Sequence, residues 1–242
     1  MIAPPPASDA PIDVDHALNF AFFTGAVLAV LLTLSAVICI QWLRRLTRWI
    51  WWLYTPQGRR STAKHEAGHA LVASVLGAEI VGVSVYRKAV DGDLGLSVHR
   101  NPVIAADTLE DVWQMLVREI AVCLAGGMAE RKWSNIDAVA YSMGASKDLA
   151  KVQAMASLAR FITHRPDPES EIKKALYDDI QTPNWQRAIN DLASALLRSN
   201  GAGVTSPVVA MVVDQYMLQL PMVRSLAEAR NTTNDPRNTV IP

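Results

Sequence analysis

From Ala17 to Leu43 the chain carries no charged residue and consists largely of Leu, Val, Ile, Ala and Phe. As a helix rising about 1.5 Å per residue it reaches about 40 Å, more than a hydrocarbon core of about 30 Å. It is apolar on every face, whereas a buried core helix usually keeps one polar side. The pattern predicts one transmembrane helix over 17–43. Beyond it the periodicity becomes that of a folded domain. Ser61 or Thr62 can cap a helix that stops at Gly77. Ile80 to Tyr86 and Leu94 to His99 read as two strands joined by a turn at Asp91-Gly92. Leu109, Val112, Trp113, Leu116, Ile120 and Leu124 fall at helical spacing over 108–132, and a further helix is predicted over 146–162. After Pro166 and Pro168, helical stretches follow at 169–179, 185–198 and 206–218. The fold class is mainly α, a helical domain with a small β-hairpin, preceded by one transmembrane helix.

The flanks divide the rest of the chain. Residues 1–16 contain Pro4, Pro5, Pro6 and Pro11 among small and acidic residues, which predicts a disordered tail. Residues 44–60 form a basic, aromatic juxtamembrane linker, 61–220 the domain, and 221–242 a C-terminal tail. Asp9, Asp13 and Asp15 precede the span without any Lys or Arg, while Arg44, Arg45, Arg48, Arg59, Arg60 and Lys64 follow it. Basic residues stay on the cytoplasmic side, so the N-terminus is expected outside and the domain in the cytoplasm, on the inner or plasma membrane. The basic start of a cleavable signal is missing, which favours a retained single-pass anchor. Trp42, Trp49, Trp51, Trp52 and Tyr54 suit the headgroup layer.

A net charge of zero and a pI near 7.0 argue against nucleic acid as a partner. Cys39 and Cys123 are too few and too isolated for a disulfide framework.

The candidate chemistry lies in His65-Glu66-Ala67-Gly68-His69. Histidines at i and i+4 share one helix face and can place two imidazoles on one zinc ion. Glu66 follows the first of them and can take a proton from the attacking water and pass it to the leaving amine, the work of a general base in peptide hydrolysis. Two surface histidines beside a solvated glutamate would show the same short pattern. A catalytic zinc needs a third protein ligand. Position 75 is Val, which excludes the metzincin arrangement. Asp91, Asp93, Glu110, Glu119, Glu130 and Asp148 remain as carboxylate candidates, the first two already explained by a turn, and spacing does not choose among the others.

Three segments together carry a resemblance: Thr62-Ala63-Lys64-His65-Glu66-Ala67-Gly68-His69-Ala70, Cys123-Leu124-Ala125-Gly126-Gly127-Met128-Ala129-Glu130 and Gly144-Ala145-Ser146-Lys147-Asp148-Leu149. In order and separation they resemble the peptidase domain of the FtsH family of membrane-bound zinc proteases, over residues 61–220 and more weakly after about 165. The resemblance implies Asp148 as third zinc ligand. It also implies Glu130 as a carboxylate that orients a ligand histidine, and the 80–100 hairpin as an edge strand for extended protein or peptide substrates. The chain departs from the family in three ways. No Gly-x-x-x-x-Gly-Lys-Ser/Thr loop occurs, so an ATPase would have to come from an associated protease, and a homo-oligomer is the other assembly implied. Lys147 stands where the family has Asn, and Arg131 replaces a second acidic residue. An anchored FtsH-like scaffold that has lost turnover is the non-enzymatic alternative. A site-2 type intramembrane protease would need further apolar spans, and no second apolar run of that length follows Leu43.

Overall fold

The computed structural model of the chain describes residues 14–90, 93–101, 108–133, 146–164 and 167–228. It divides into two units, Met1–Arg48 and Trp49–Pro242. The first is built on helix α1 (Val14–Tyr54), so residues 14–16 of the expected tail are helical and the others lie outside the described residues. Along Phe22–Arg44 the mean hydropathy is 2.5 and no part of the segment is buried. Phe22, Leu32 and Ile38 are all more than half exposed. A helix with apolar side chains on every side and no protein cover is stable only in a non-aqueous surrounding. It is long and apolar enough to cross a membrane, and its length and composition suit a retained anchor and a signal sequence equally. Trp42 is exposed; the side chains of Trp49, Trp51, Trp52 and Tyr54 lie outside the described residues.

The second unit is mainly helical and assembles around α2 (Pro56–Val75). This helix begins at least a turn and a half before the expected cap at Ser61 or Thr62. Thr55 is extended (φ −93°, ψ 154°), its hydroxyl accepts from Gly58 N–H at 3.2 Å, and Pro56 opens the helix where a missing N–H costs nothing. The C-terminal end follows expectation. Gly77 takes φ +86°, donates to Ser74 O at 3.0 Å, and leaves Ala78 N–H to reach Ala73 O at 2.9 Å, the paired bonds of a Schellman motif.

The strands β1 (Glu79–Val90) and β2 (Asp93–Arg100) form a two-stranded antiparallel sheet with Ile80 opposite His99, Ser84 opposite Leu96 and Val85 opposite Gly95. A register shift between Ile80 and Gly82 changes the phase of the alternation, which lets Ile80, Val83 and Val85 all be buried while Val81 is exposed. Asp91 and Gly92 of the expected turn lie outside the described residues. On its other edge β1 exchanges two backbone hydrogen bonds between Val83 and Val204, at 3.0 and 2.7 Å. Gly203 makes this possible, because it holds φ +79° and a Cβ there would meet Val83 O at 2.7 Å.

Among the described residues the helices α3 (Leu109–Trp133), α4 (Ser146–Thr163), α5 (Pro168–Ile180), α6 (Pro183–Arg198) and α7 (Ser206–Tyr216) follow. Each lies close to its expected place. Leu71 of α2, Trp113 and Ile120 of α3, Ile172 and Leu176 of α5, and Trp185 and Leu192 of α6 are among the large, fully buried side chains of one core. By length and composition Leu109–Lys132 also suffices to cross a membrane, but 67% of its most apolar window is buried inside the domain, so here it is a core helix. The stretch from 221, expected as tail, instead opens with α8 (Pro221–Glu228). The Asp179 carboxylate accepts from Met222 and Val223 N–H at 3.0 and 2.9 Å. Arg224 donates to Val75 O at 2.7 Å and so caps α2, and Trp113 Nε1 donates to Leu226 O at 3.1 Å. The short helix thereby ties α5, α2 and α3 together.

Candidate metal centre

The centre lies where α2 crosses α3. On α2, positions 61, 65 and 69 recur every four residues and form one stripe. On α3, positions 122, 126 and 130 form the stripe opposite. The helices approach closely because the contact is made of small residues: a Cβ on Gly68 would lie 2.7 Å from Ala125 O and 2.8 Å from Ala129 Cβ. This is the packing reason for glycine in mid-helix, where it costs about 1 kcal/mol relative to alanine. Gly126 serves the centre directly, since a Cβ there would sit 2.3 Å from His69 Nε2.

His65, Glu66 and His69 are each buried to within 7–8% of full cover. His65 Nδ1 lies 3.0 Å from Glu130 Oε2, and His69 Nδ1 lies 2.7 Å from Val122 O. A carboxylate and a carbonyl only accept, so both imidazoles carry their proton on Nδ1 and turn the Nε2 lone pair inward. There the two Nε2 atoms are 3.0 Å apart, and Asp148 Oδ2 lies 3.0 Å from the first and 3.2 Å from the second. Asp148 arrives from the first turn of α4, 83 residues along the chain from His65. Three acceptor atoms facing one another repel unless a cation, either a metal ion or a proton, lies among them. His65, His69 and Asp148 form a group that could hold a metal ion, their ligand atoms all within 4.8 Å of one another.

The ionisation of the metal-free centre follows from the same geometry. Burial opposes the His65 imidazolium, but the Asp148 and Glu130 carboxylates outweigh it and push its pKa up to about 10. Burial likewise opposes the Asp148 carboxylate, and the His65 and His69 imidazoles overcome it and hold the group below the usual carboxylate range. Without metal, a proton on His65 Nε2 shared with Asp148 occupies the place of the cation. Cys123 is buried nearby, and burial, reinforced by Glu119 and Asp148, pushes its thiol up to about 12. Without a metal it stays a protonated thiol at neutral pH and a weak nucleophile.

Glu66 follows His65 and packs under β2. A Cβ on Gly95 would lie 2.7 Å from Glu66 Oε1, so glycine at this point of the strand leaves room for the carboxylate. Glu130, 1% exposed, binds His65 Nδ1 through Oε2 and accepts the Ser61 hydroxyl on Oε1 at 2.9 Å. Among the other carboxylates, Glu119 is held by His99 Nε2 at 3.3 Å and Asn101 Nδ2 at 2.6 Å, which together lower its pKa. Glu110 stands in the first turn of α3, while Asp91 and the side chain of Asp93 lie outside the described residues. Spacing had assigned no role to Val122, whose contribution is a backbone carbonyl, or to Ser61, whose hydroxyl looks in sequence like a helix cap. In comparisons with known proteins, no protein-family model and no curated protein matches the chain.

Proposed function

We propose that this chain is a membrane-anchored zinc metalloendopeptidase of the FtsH type, acting without an ATPase of its own. The observation that carries the reading is the convergence of two Nε2 lone pairs and one carboxylate oxygen in a buried site, with Glu66 beside them. A donor set of two imidazoles and one carboxylate suits zinc better than the hard, all-oxygen cations, and three protein ligands leave a position for substrate. Zinc bound there supplies Lewis acidity toward water and toward a peptide carbonyl. Glu66 takes the proton of the attacking water and delivers it to the leaving amine. Glu130 and the Val122 carbonyl keep His65 and His69 in the tautomer that ligates. Among the described residues β2 pairs only with β1, and it runs over Glu66; an extended protein or peptide chain added to its other edge would pass the centre with its main chain recognised. The apolar helix stays attached as anchor, with the domain on the cytoplasmic side of the inner or plasma membrane. The chain acts as a homo-oligomer or beside an ATPase-bearing protease.

The test is made on the full-length chain in detergent. About one zinc per chain is expected on purification, together with cleavage of an unfolded substrate such as casein. Glu66→Gln should keep the zinc and lower cleavage by about 10²- to 10⁴-fold. A wild-type chain free of zinc, or undiminished cleavage by Glu66→Gln, ends the proposal. Zinc without cleavage in the wild type would replace it with the scaffold reading.

A further inference from the structure

We propose that Ser61 is a positioning residue of the metal centre, holding the Glu130 carboxylate so that it keeps His65 ready to ligate; the inference rests on the metal-centre reading above. Ser61 is 2% exposed and lies in the second turn of α2, where Thr55 has already capped the helix. A hydroxyl in a helix interior normally bonds back to the carbonyl four residues earlier, as its neighbour Thr62 does to Gly58 O at 3.1 Å. Ser61 instead donates across the helix crossing to Glu130 Oε1, 69 residues away, at 2.9 Å.

Glu130 sets the requirement for that donor. At 1% exposure its carboxylate is shut off from bulk solvent, and an ionised group so placed is costly unless both oxygens are satisfied. His65 Nδ1 satisfies Oε2 and Ser61 satisfies Oε1. The last torsion of a glutamate is broad, so fixing Oε1 also fixes where Oε2 points. With Oε2 held 3.0 Å from Nδ1, the His65 proton stays on that nitrogen and the Nε2 lone pair stays directed at His69 and Asp148. Ser61, Glu130 and His65 are one relay, and its end atom is a metal ligand. The four-residue spacing of Ser61 and His65 puts both on the face of α2 that meets α3.

Zinc dissociation constants are measured on the full-length chain in detergent, by competition with a chromogenic chelator. The chains compared are wild type, Ser61→Ala, Glu130→Ala and the double variant. Ser61→Ala is expected to weaken zinc binding about tenfold, the lower end of the range for partners of ligand histidines. In the Glu130→Ala background the same change should add nothing, because the hydroxyl acts only through that carboxylate. Cobalt-loaded Ser61→Ala should also show a shifted visible spectrum, which loss of stability alone does not produce. Ser61→Thr and Ser61→Val differ only in the hydroxyl, so the first should retain more affinity than the second, a comparison that stands even where alanine unfolds the chain. Affinity of Ser61→Ala within about twofold of wild type, or a full effect persisting without Glu130, overturns the proposal. So does equal behaviour of the Thr and Val variants. A wild-type chain that binds no zinc takes the metal reading down with it, whereas zinc-binding wild type with an indifferent Ser61 removes this inference alone.

Discussion

A Cβ on Gly126 would lie 2.3 Å from His69 Nε2, the atom assigned to the metal. Alanine there favours the helix by up to about 1 kcal/mol yet intrudes on the ligand. Gly126→Ala is therefore expected to stay folded while its zinc affinity falls by an order of magnitude or more, about the loss seen when a ligand's setting is disturbed. Unchanged affinity in the same chelator competition would show that His69 Nε2 is not a ligand atom. The ionisation of the metal-free centre makes a second prediction. His65 titrates near 10 in the fold against 6.5 in the unfolded chain, so its contribution to stability is full below about 6.5 and is lost as pH rises toward 10. Asp148 is depressed, so its contribution is present above its ordinary value near 3.8 and is lost only as pH falls. The melting temperature in EDTA should decline between pH 7 and 10, and more steeply in wild type than in Asp148→Asn, which has lost the partner that raises His65; parallel profiles would refute the coupling. At this scale the sequence shows what is local. His65, Glu66 and His69 are visible because a four-residue step places both imidazoles on one helix face. Asp148 and Glu130 lie 83 and 65 residues from His65, and no periodicity reports a contact of that span. Resemblance to a known family pointed to both. Ser61 and Thr62 both look like caps in sequence, because a hydroxyl before an apolar helical run looks the same whether it bonds within its own helix or reaches another.

At the level of elements, the centre depends on how closely α2 and α3 approach. Gly68 faces Ala125 and Ala129, and a methyl group would sit 2.7 Å from the Ala125 carbonyl oxygen. That atom is backbone and cannot turn aside, so the helices must separate. Gly68→Ala should cost about 1–3 kcal/mol despite its better helix propensity, read as a lower denaturant midpoint at unchanged slope. It should also weaken zinc binding, because Val122 and Glu130 would recede from the two imidazoles. A stabilised Gly68→Ala would mean that the crossing is looser than these distances. The start of α2 is set by Thr55, so Thr55→Ala should cost about 1 kcal/mol, and Ser61→Ala should not behave as the loss of a cap. Among the described residues, apolar periodicity located α3 and α4, which bury one face against the core; cap residues located α2, alternation with a turn the hairpin, and a Pro-containing break the start of the helices α5 to α7. It did not locate the first turns of α2, where Pro56, Gln57 and Gly58 carry no apolar pattern, nor α8. That last helix is held by partners far along the chain, Asp179 at its N-terminus and Trp113 and Val75 along it.

Taken as a whole molecule, the chain joins an apolar helix that no protein surface covers to a domain whose polar groups converge on one buried centre. Neither part contains a phosphate-binding Gly-rich loop of the Walker type within these 242 residues. On the proposed activity, these residues by themselves supply no ATP-driven unfolding, and the substrates they act on unaided are chains that can lie extended along a strand edge. The full-length protein in detergent should therefore cleave casein at the same rate with and without ATP, and should leave a stably folded protein intact until denaturant or heat opens it. ATP-stimulated cleavage by the purified chain alone would refute this account of its range. Orientation is tested on the same molecule in cells. The stretch before the apolar helix has no Lys or Arg, whereas Arg44, Arg45 and Arg48 follow at its other end, and the proposed orientation, with the domain in the cytoplasm, rests on that asymmetry. In a Cys39→Ala background, a thiol placed by Ser8→Cys should react with a membrane-impermeant reagent on intact cells, and one placed by Lys147→Cys only after lysis. Labelling in the opposite order would put the domain outside. An ATPase-bearing protease on the cytoplasmic side could not then feed the centre, and the chain would have to find its unfolded substrates alone.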